Sequence, residues 1–311
     1  MRLAAVTMVR NEADIIESSL RHNLHVVDHV LVVDHASDDA TPSIVQAMIA
    51  EGLPITLTSD ASVTFQQGLR SSEGARWLFA ERGADWVFPL DADELLKTPS
   101  REALEAGLGL VPAGLHLRVR LQSYVADSYA DPAPFSVARF RRRLAAEAYP
   151  QMRVAIRRTF LERPSQLVTE GNHYVVDAAA PGQSPAYPAI NAEVLAIAHF
   201  PIRSARQVVA KTILGWLAIA ATHRGGNAAF HWRELYDELK RGRALDADRL
   251  MALAVNYGIP REAWRDPAAV ELVEDPIAPT PPPRYAAAAA LEPMQLLLIY
   301  AERLAMGARG A

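Results

Sequence analysis

Two carboxylates one residue apart, Asp91 and Asp93, close the apolar run Trp86-Val-Phe-Pro-Leu90. The run predicts a strand buried inside a parallel sheet, and in open α/β sheets ligands gather at the carboxyl ends of strands. Carboxylate oxygens suit hard divalent cations such as Mn²⁺ or Mg²⁺, which take one or two protein carboxylates together with substrate phosphates. The pair therefore points to a metal-bridged diphosphate. Taken alone, an Asp-x-Asp fits a polar turn capping the next helix better than it fits a metal site, so the surrounding elements have to decide.

Those elements alternate. Leu3 to Met8 reads as a buried strand, followed by Arg10-Asn11-Glu12 and a segment with Ile15, Ile16, Leu20 and Leu24 at helical spacing. Asn11 has the chemistry of a helix N-cap, with Asp14 in the first turn. Val30 to Val33 is a second strand, running into Asp34-His-Ala-Ser37-Asp38-Asp39-Ala-Thr41-Pro42, where Thr41 can cap and Pro42 can open a helix. A third strand is expected from Ile55 to Thr58 and a long helix from about Phe65 to Arg82, stopped by Gly83. The strand carrying the acidic pair comes next.

The blocks Val9-Arg10-Asn11-Glu12-Ala-Asp14-Ile15-Ile16, Val32-Val33-Asp34-His-Ala-Ser37-Asp38-Asp39-Ala-Thr41 and Asp85-Trp86 into Leu90-Asp91-Ala-Asp93-Glu94-Leu95 resemble the glycosyltransferases with the GT-A fold, family 2-like. His199-Phe-Pro201-Ile-Arg203-Ser204, with Gln207 and Lys211 behind it, resembles a late motif of the same group. The first three blocks cover roughly residues 1 to 100, and their order and spacing carry more than any one of them. The resemblance implies an α/β fold with a mixed, mostly parallel sheet flanked by helices. It also implies a nucleotide-sugar donor, whether UDP-, GDP- or dTDP-linked, a hydroxyl acceptor (glycan, lipid-linked or protein), and transfer with inversion.

Each block then acquires an expected role. A cation on Asp91 and Asp93 would neutralise charge developing on the leaving diphosphate. Asp34 would accept hydrogen bonds from a ribose or base edge, while Arg10, Asn11 and Glu12 approach the nucleotide; turn, cap and strand-end roles compete for all four. His199 and His173 are candidates for a third metal ligand, against ordinary hydrogen-bonded histidines. Arg203, Gln207 and Lys211 fall near one side of a helix that Ser204 can cap, where the cations would clamp the diphosphate, against the alternative of a merely solvated helical face. Glu170 is the first candidate for the base that deprotonates the acceptor, and Asp127 or Asp131 the second. With the acidic pair at a solvent-facing strand end, Asp93→Ala is expected to remove turnover and spare the fold.

Beyond the motifs, Thr98-Pro99-Ser100 starts a helix, and Leu115, Leu117, Val119 and Leu121 alternate with polar residues as in an antiparallel strand with one wet face. Arg139 and Arg141 to Arg143 surround Phe140, a basic cluster that fits a solvated strand edge better than an anion site. Ala178 to Pro188 is a lid candidate. Domain organisation is expected as a catalytic core over 1–203, a helical extension over 204–275, and a Pro-rich linker with a docking helix over 276–311. That last helix, from about Tyr285 to Met306, is apolar nearly all round, so it should dock on its own core, on a second subunit as a homodimer, or on a membrane face.

Composition agrees. The 311 residues can bury a large core, and no cysteine is present, which excludes disulfides and thiolate metal sites. A formal charge of -4 gives no global field for nucleic acid. Neither a ~20-residue apolar span nor a signal-peptide core is found, so a cytoplasmic protein is expected. A nicotinamide dehydrogenase would need Gly-x-Gly-x-x-Gly after the first strand, and a nucleotidyltransferase a Gly-rich basic loop there; Val9-Arg10-Asn11-Glu12 is neither. A degenerate, non-catalytic sugar-nucleotide-binding or scaffolding module is the remaining rival.

Overall fold

The computed structural model describes residues 1–62, 64–130, 135–180, 187–221, 230–278, 281–285 and 292–307. In chain order the elements are β1 (Leu3–Val9), α1 (Ile16–Asn23), β2 (His29–Asp34), α2 (Thr41–Ala50), β3 (Ile55–Ser59), α3 (Gln67–Glu81), β4 (Trp86–Leu90), β5 (Glu94–Lys97), α4 (Arg101–Gly109) and β6 (Leu117–Val125). They continue with β7 (Arg142–Leu144), β8 (Met152–Arg157), β9 (Gln166–Val168), β10 (Val175–Asp177), β11 (Ala196–His199), α5 (Ala205–Ala221), α6 (Phe230–Lys240), α7 (Ala247–Val255), β12 (Leu272–Glu274) and α8 (Pro293–Gly307). Asp131, part of the 178–188 lid candidate, the 222–227 break and part of the Pro-rich linker lie outside the described residues.

The main sheet runs β12-β7-β6-β8-β4-β1-β2-β3. Its β4-β1-β2-β3 half is parallel, β8 is antiparallel to both β4 and β6, and β11 joins parallel to β6 and antiparallel to β5. This mixed sheet flanked by helices is the GT-A architecture. The chain steps from β1 outward to β2 and β3, then returns to place β4 on the other side of β1. A crevice opens at such a reversal, beyond the carboxyl ends of the strands.

Strand pleat distributes the core. Along β1, Leu3, Ala5 and Val9 enter one apolar cluster with α1 and α2, while Ala4 and Val6 enter another with α3. Gly74 on α3 is required by that contact: a Cβ there would sit 2.6 Å from Val6 Cγ2. α3 ends as expected, with Gly83 at φ +63 and Ala84 N–H returning to Leu78 O at 3.3 Å. Ser100 caps α4 by accepting from Ala103 N, and Ser204 accepts from Gln207 N at the start of α5.

Asn11 does something other than cap. It sits at φ +55, and its Oδ1 accepts from Asp38 N and Asp39 N, so the side chain ties the β1–α1 loop to the β2–α2 loop. α1 begins later, after Ile15, and Thr41 is the first residue of α2 rather than its cap. The C-terminal segments return to the core. β12 pairs with β7, the buried Glu17 carboxylate accepts from Arg284 N and Tyr285 N, and α8 buries Leu296 and Tyr300 against Leu214 and Ala218 of α5. Among the described residues no helix is long and apolar enough to cross a membrane.

β6 starts from a buried histidine that must stay neutral. His116 Nδ1 accepts from Arg157 N while Nε2 faces Gln166 Oε1 at 3.1 Å, and burial pulls its pKa down to about 4. A folded-state value below the unfolded ~6.5 means this contribution is intact above pH 6.5 and is lost as pH falls toward 4. Between pH 7.5 and 4.5 the stability advantage of wild type over His116→Asn, read by urea unfolding, should shrink by up to about 3 kcal/mol. An advantage independent of pH would contradict the neutral tautomer.

Candidate functional site

A cavity of about 560 Å³ opens at the reversal between β1 and β4, within the size range of small-ligand sites. Arg10, Asn11 and Glu12 from the β1 end, His35 from the β2 end and Asp91 from the β4 end line one side. Glu147, Tyr149, Gln151, His199, Lys211, Trp232 and Tyr257 line the rest. Residues from widely separated parts of the chain meet there, which is why no single motif describes it.

Asp93 lies beneath this cavity. Its side chain is 1 % exposed, where a solvent-facing strand end was expected. The correction follows from packing: β11 pairs antiparallel with β5 directly after the acidic pair, Phe200 N donates to Asp93 O, and α5 covers the carboxylate. Oδ2 accepts from Lys211 Nζ at 2.6 Å and Arg203 at 3.4 Å. Burial would raise its pKa, but Lys211, His199 and Arg203 hold it well below the usual carboxylate range. Arg203 also binds Glu12 at 2.5 Å and Asp14 at 2.7 Å. The two cations expected to clamp a diphosphate are thus held on Asp93, Glu12 and Asp14.

Asp91 is the more open of the pair, 26 % exposed. Its Oδ1 accepts from Gln67 Nε2 and from Asn172 Nδ2, and its Oδ2 from Arg153 at 3.3 Å. Arg153 also pairs at 2.6 Å with Glu94, whose pKa burial pushes up to about 8; burial likewise pushes Glu12 up to about 7. Five carboxyl groups, Glu12, Asp14, Asp91, Asp93 and Glu94, therefore surround three cations, Arg153, Arg203 and Lys211. With Glu94 and Glu12 pushed toward their protonated forms, the charges of this cluster come close to balance.

Among the described residues no three His, Asp or Glu side chains converge as a ready cage for a metal. Two donor atoms are nevertheless available. Asp93 Oδ1 is buried without a hydrogen-bond partner, and His199 Nε2 stands 3.8 Å from it. Burial lowers the His199 pKa to about 4, which keeps the imidazole neutral, and Tyr257 packs edge-on against its ring. His173 is differently engaged. Its Nδ1 lies 2.9 Å from Met152 O, and its Nε2 lies where a Cβ on Gly171 would meet it at 2.6 Å.

The Asp93 atom belongs to a wider group. Six of the nine buried polar side-chain atoms without partners among the described residues stand in the loops after β1, β2 and β4: Arg10 Nε and Nη1, Asn11 Nδ2, Asp34 Oδ1, Asp38 Oδ2 and Asp93 Oδ1. Unsatisfied buried groups are rare because each costs about 1–3 kcal/mol, so their concentration here marks a place with open hydrogen-bonding capacity for water or a polar ligand. The same loops hold Asn11 and Ala36 at φ +55 and +51, and Ala at such φ is strained by roughly 1–2 kcal/mol. The opening block of the sequence pointed to this region; the strain and the orphaned atoms are visible only in the fold.

Of the carboxylates considered as bases, Glu170 lines the cavity and accepts from Gly68 N, whereas Asp127 lies 44 % exposed, paired with Arg142 and away from the cavity lining. Glu147, unremarked in the sequence, lines the cavity with its carboxylate bonded to Ser123 N and Oγ. Arg153 was also missed, although an arginine inside the run Met152–Arg157, buried on both faces, is a signal in itself. The cluster's arginines are taken up by ion pairs, Arg141 with Glu274 and Arg142 with Asp127 near the surface and Arg143 with Asp275 half-buried.

No family model matches the chain, and no curated protein does. Solved structures that resemble it include the mannosyltransferase PcManGT from Pyrobaculum calidifontis in complex with GDP-Man and Mn²⁺, 28 % identical over 40 % of this chain and 35 % of that one, TM-score 0.29. S. aureus TarS is 12 % identical over 84 % and 46 % of the two chains, TM-score 0.37. Glucosyl-3-phosphoglycerate synthase from Mycobacterium tuberculosis, in complex with Mn²⁺, UDP and glucosyl-3-phosphoglycerate, is 22 % identical over 39 % and 44 %, TM-score 0.27. The chain spans less than half the length of each of these three.

The burial of Asp93 separates the two carboxylates experimentally. Asp93→Ala takes from the half-buried Lys211 its 2.6 Å partner and from the buried Arg203 one of three carboxylates, and should cost about 3 kcal/mol in urea unfolding, whereas Asp91→Ala, at the open position, should cost clearly less. Equal stability of Asp93→Ala and wild type would contradict this electrostatic arrangement.

Proposed function

We propose that the protein is a glycosyltransferase that takes a sugar from a nucleoside diphosphate and passes it to a hydroxyl acceptor, with Mn²⁺ or Mg²⁺ at the diphosphate. The observation that carries this reading is the concentration of unpartnered buried donors and acceptors in the loops after β1, β2 and β4, beside a 560 Å³ cavity at the β1/β4 reversal that Arg10 and Asn11 of this group line. Mixed polarity is what a nucleotide demands: Asp34 Oδ1 accepts from a ribose or base edge, and Arg10 and Asn11 donate to carbonyl or phosphate oxygens. A purely apolar ligand would leave all of them unsatisfied.

Asp93 Oδ1 and His199 Nε2 are the donors that would hold the cation, with Asp91 facing the same cavity. When bound, the cation would act as a Lewis acid toward the diphosphate oxygens as charge develops there. The chain's own residues do the remaining work. Lys211 and Arg203 keep Asp93 ionised and orient its free oxygen, Arg153 and Gln67 fix Asp91, and Tyr257 limits water at His199. On the acceptor side, Glu170 and Glu147 are the carboxylates lining the cavity that can take the hydroxyl proton as the acceptor oxygen bonds to the sugar carbon and the diphosphate leaves with the bonding electrons. Inversion at that carbon is part of the proposal.

A panel of UDP-, GDP- and dTDP-sugars tests this. At least one should release its nucleoside diphosphate in the presence of Mn²⁺ or Mg²⁺, with release stopped by EDTA, and Asp34→Ala should raise the donor KM about tenfold through loss of one buried hydrogen bond. Binding with no turnover would favour a non-catalytic sugar-nucleotide module. Absence of both would sink the reading.

A further inference from the structure

The C-terminal helix reaches the same loops from outside. α8 is held on α5 by Leu296 and Tyr300, and the Tyr300 ring, fully buried, lies under the guanidinium of Arg10 at 4.6 Å from Cζ to ring centroid. Its hydroxyl bonds Arg10 as well. One turn on, Arg303 donates through Nη1 to Ala36 O at 2.9 Å and pairs with Asp38. Ala36 is the strained positive-φ residue of the loop that follows Asp34. A helix near the end of the chain thus grips one residue lining the cavity and one peptide that shapes its edge.

We infer that α8 is a working part of the nucleotide subsite, with Tyr300 and Arg303 as its positioning residues. Tyr300 holds Arg10 by stacking and one hydrogen bond, which leaves Nε and Nη1 unpartnered and directed by a fixed plane. Arg303 fixes the peptide of Ala36 and thereby the loop that carries Asp34. The ligand class is a nucleoside diphosphate, so the inference rests on the reading given under Proposed function. Neither residue contacts the ligand; both act through Arg10 and the β2–α2 loop. Because α5 carries Lys211, the helix that seats α8 also reaches Asp93, and the donor site is braced from both sides.

Isothermal titration of the full chain with UDP, GDP and dTDP in Mn²⁺ tests the inference. For whichever nucleotide wild type binds, Tyr300→Leu and Arg303→Ala should each raise Kd about tenfold, Tyr300→Phe should restore part of the loss, and Arg10→Met with Tyr300→Leu should be no weaker than Arg10→Met alone. That coupling would not arise from a merely structural role. Unchanged Kd in folded Tyr300→Leu and Arg303→Ala, or losses at Arg10 and Tyr300 that multiply in full, overturns it. Arg303 is 35 % exposed, so its variant decides the matter should Tyr300→Leu fail to fold. Wild type that binds none of the three nucleotides overturns the donor-site reading itself, a different result from wild type binding with indifferent variants.

Discussion

The carboxylate of Asp93, buried with one oxygen bonded to Lys211 and the other left open beside His199, is the contact on which the arrangement depends. It joins three remote pieces of chain: the turn after β4, the end of β11 and the first turns of α5. Through Arg203 it also reaches Glu12 and Asp14 after β1. A buried ion pair is a weak source of net stability, since desolvation offsets much of the attraction. What it supplies is position, because Asp93, Lys211 and Arg203 share their charges within one network and the elements cannot drift apart without breaking it.

Around that point the molecule accepts a deliberate deficit. Buried polar groups ordinarily find partners within the protein, and in the loops after β1, β2 and β4 several do not. Two residues there hold left-handed backbone without being glycine. Neighbouring contacts over-determine these loops: Asn11 Oδ1 receives two amides from the facing loop, Thr41 Oγ1 receives Glu12 N, and Asp39 receives Ala13 N and Thr41 N. The loops are held rigid by hydrogen bonds to one another, which preserves open valences for a ligand instead of letting them collapse onto each other.

Much of this was legible in the residues. Apolar runs marked β1, β2 and β4 because these parallel strands are buried on both faces, and the helix stops and caps at Gly83, Ser100 and Ser204 fall where their chemistry requires. The acidic pair and His199 were found as residue types at strand ends. The burial of Asp93 was not readable, because it depends on β5 turning back to pair with β11, about a hundred residues later. Asn11 was misjudged as a cap because a local rule cannot see the facing loop it bridges. Arg153 and Glu147 escaped because their relevance comes from which strand lies beside which, and the contact of Tyr300 with Arg10 spans nearly the whole chain.

Diffraction from crystals soaked with Mn²⁺ and a nucleoside diphosphate, recorded at the manganese absorption edge, tests the central claim most directly. The account predicts an anomalous peak within bonding distance of Asp93 Oδ1 and His199 Nε2, with the diphosphate on its cavity side and the base in the loops that carry Arg10 and Asp34. Manganese bound elsewhere, or a nucleotide bound in this cavity with Asp93 Oδ1 still without a partner, would contradict it.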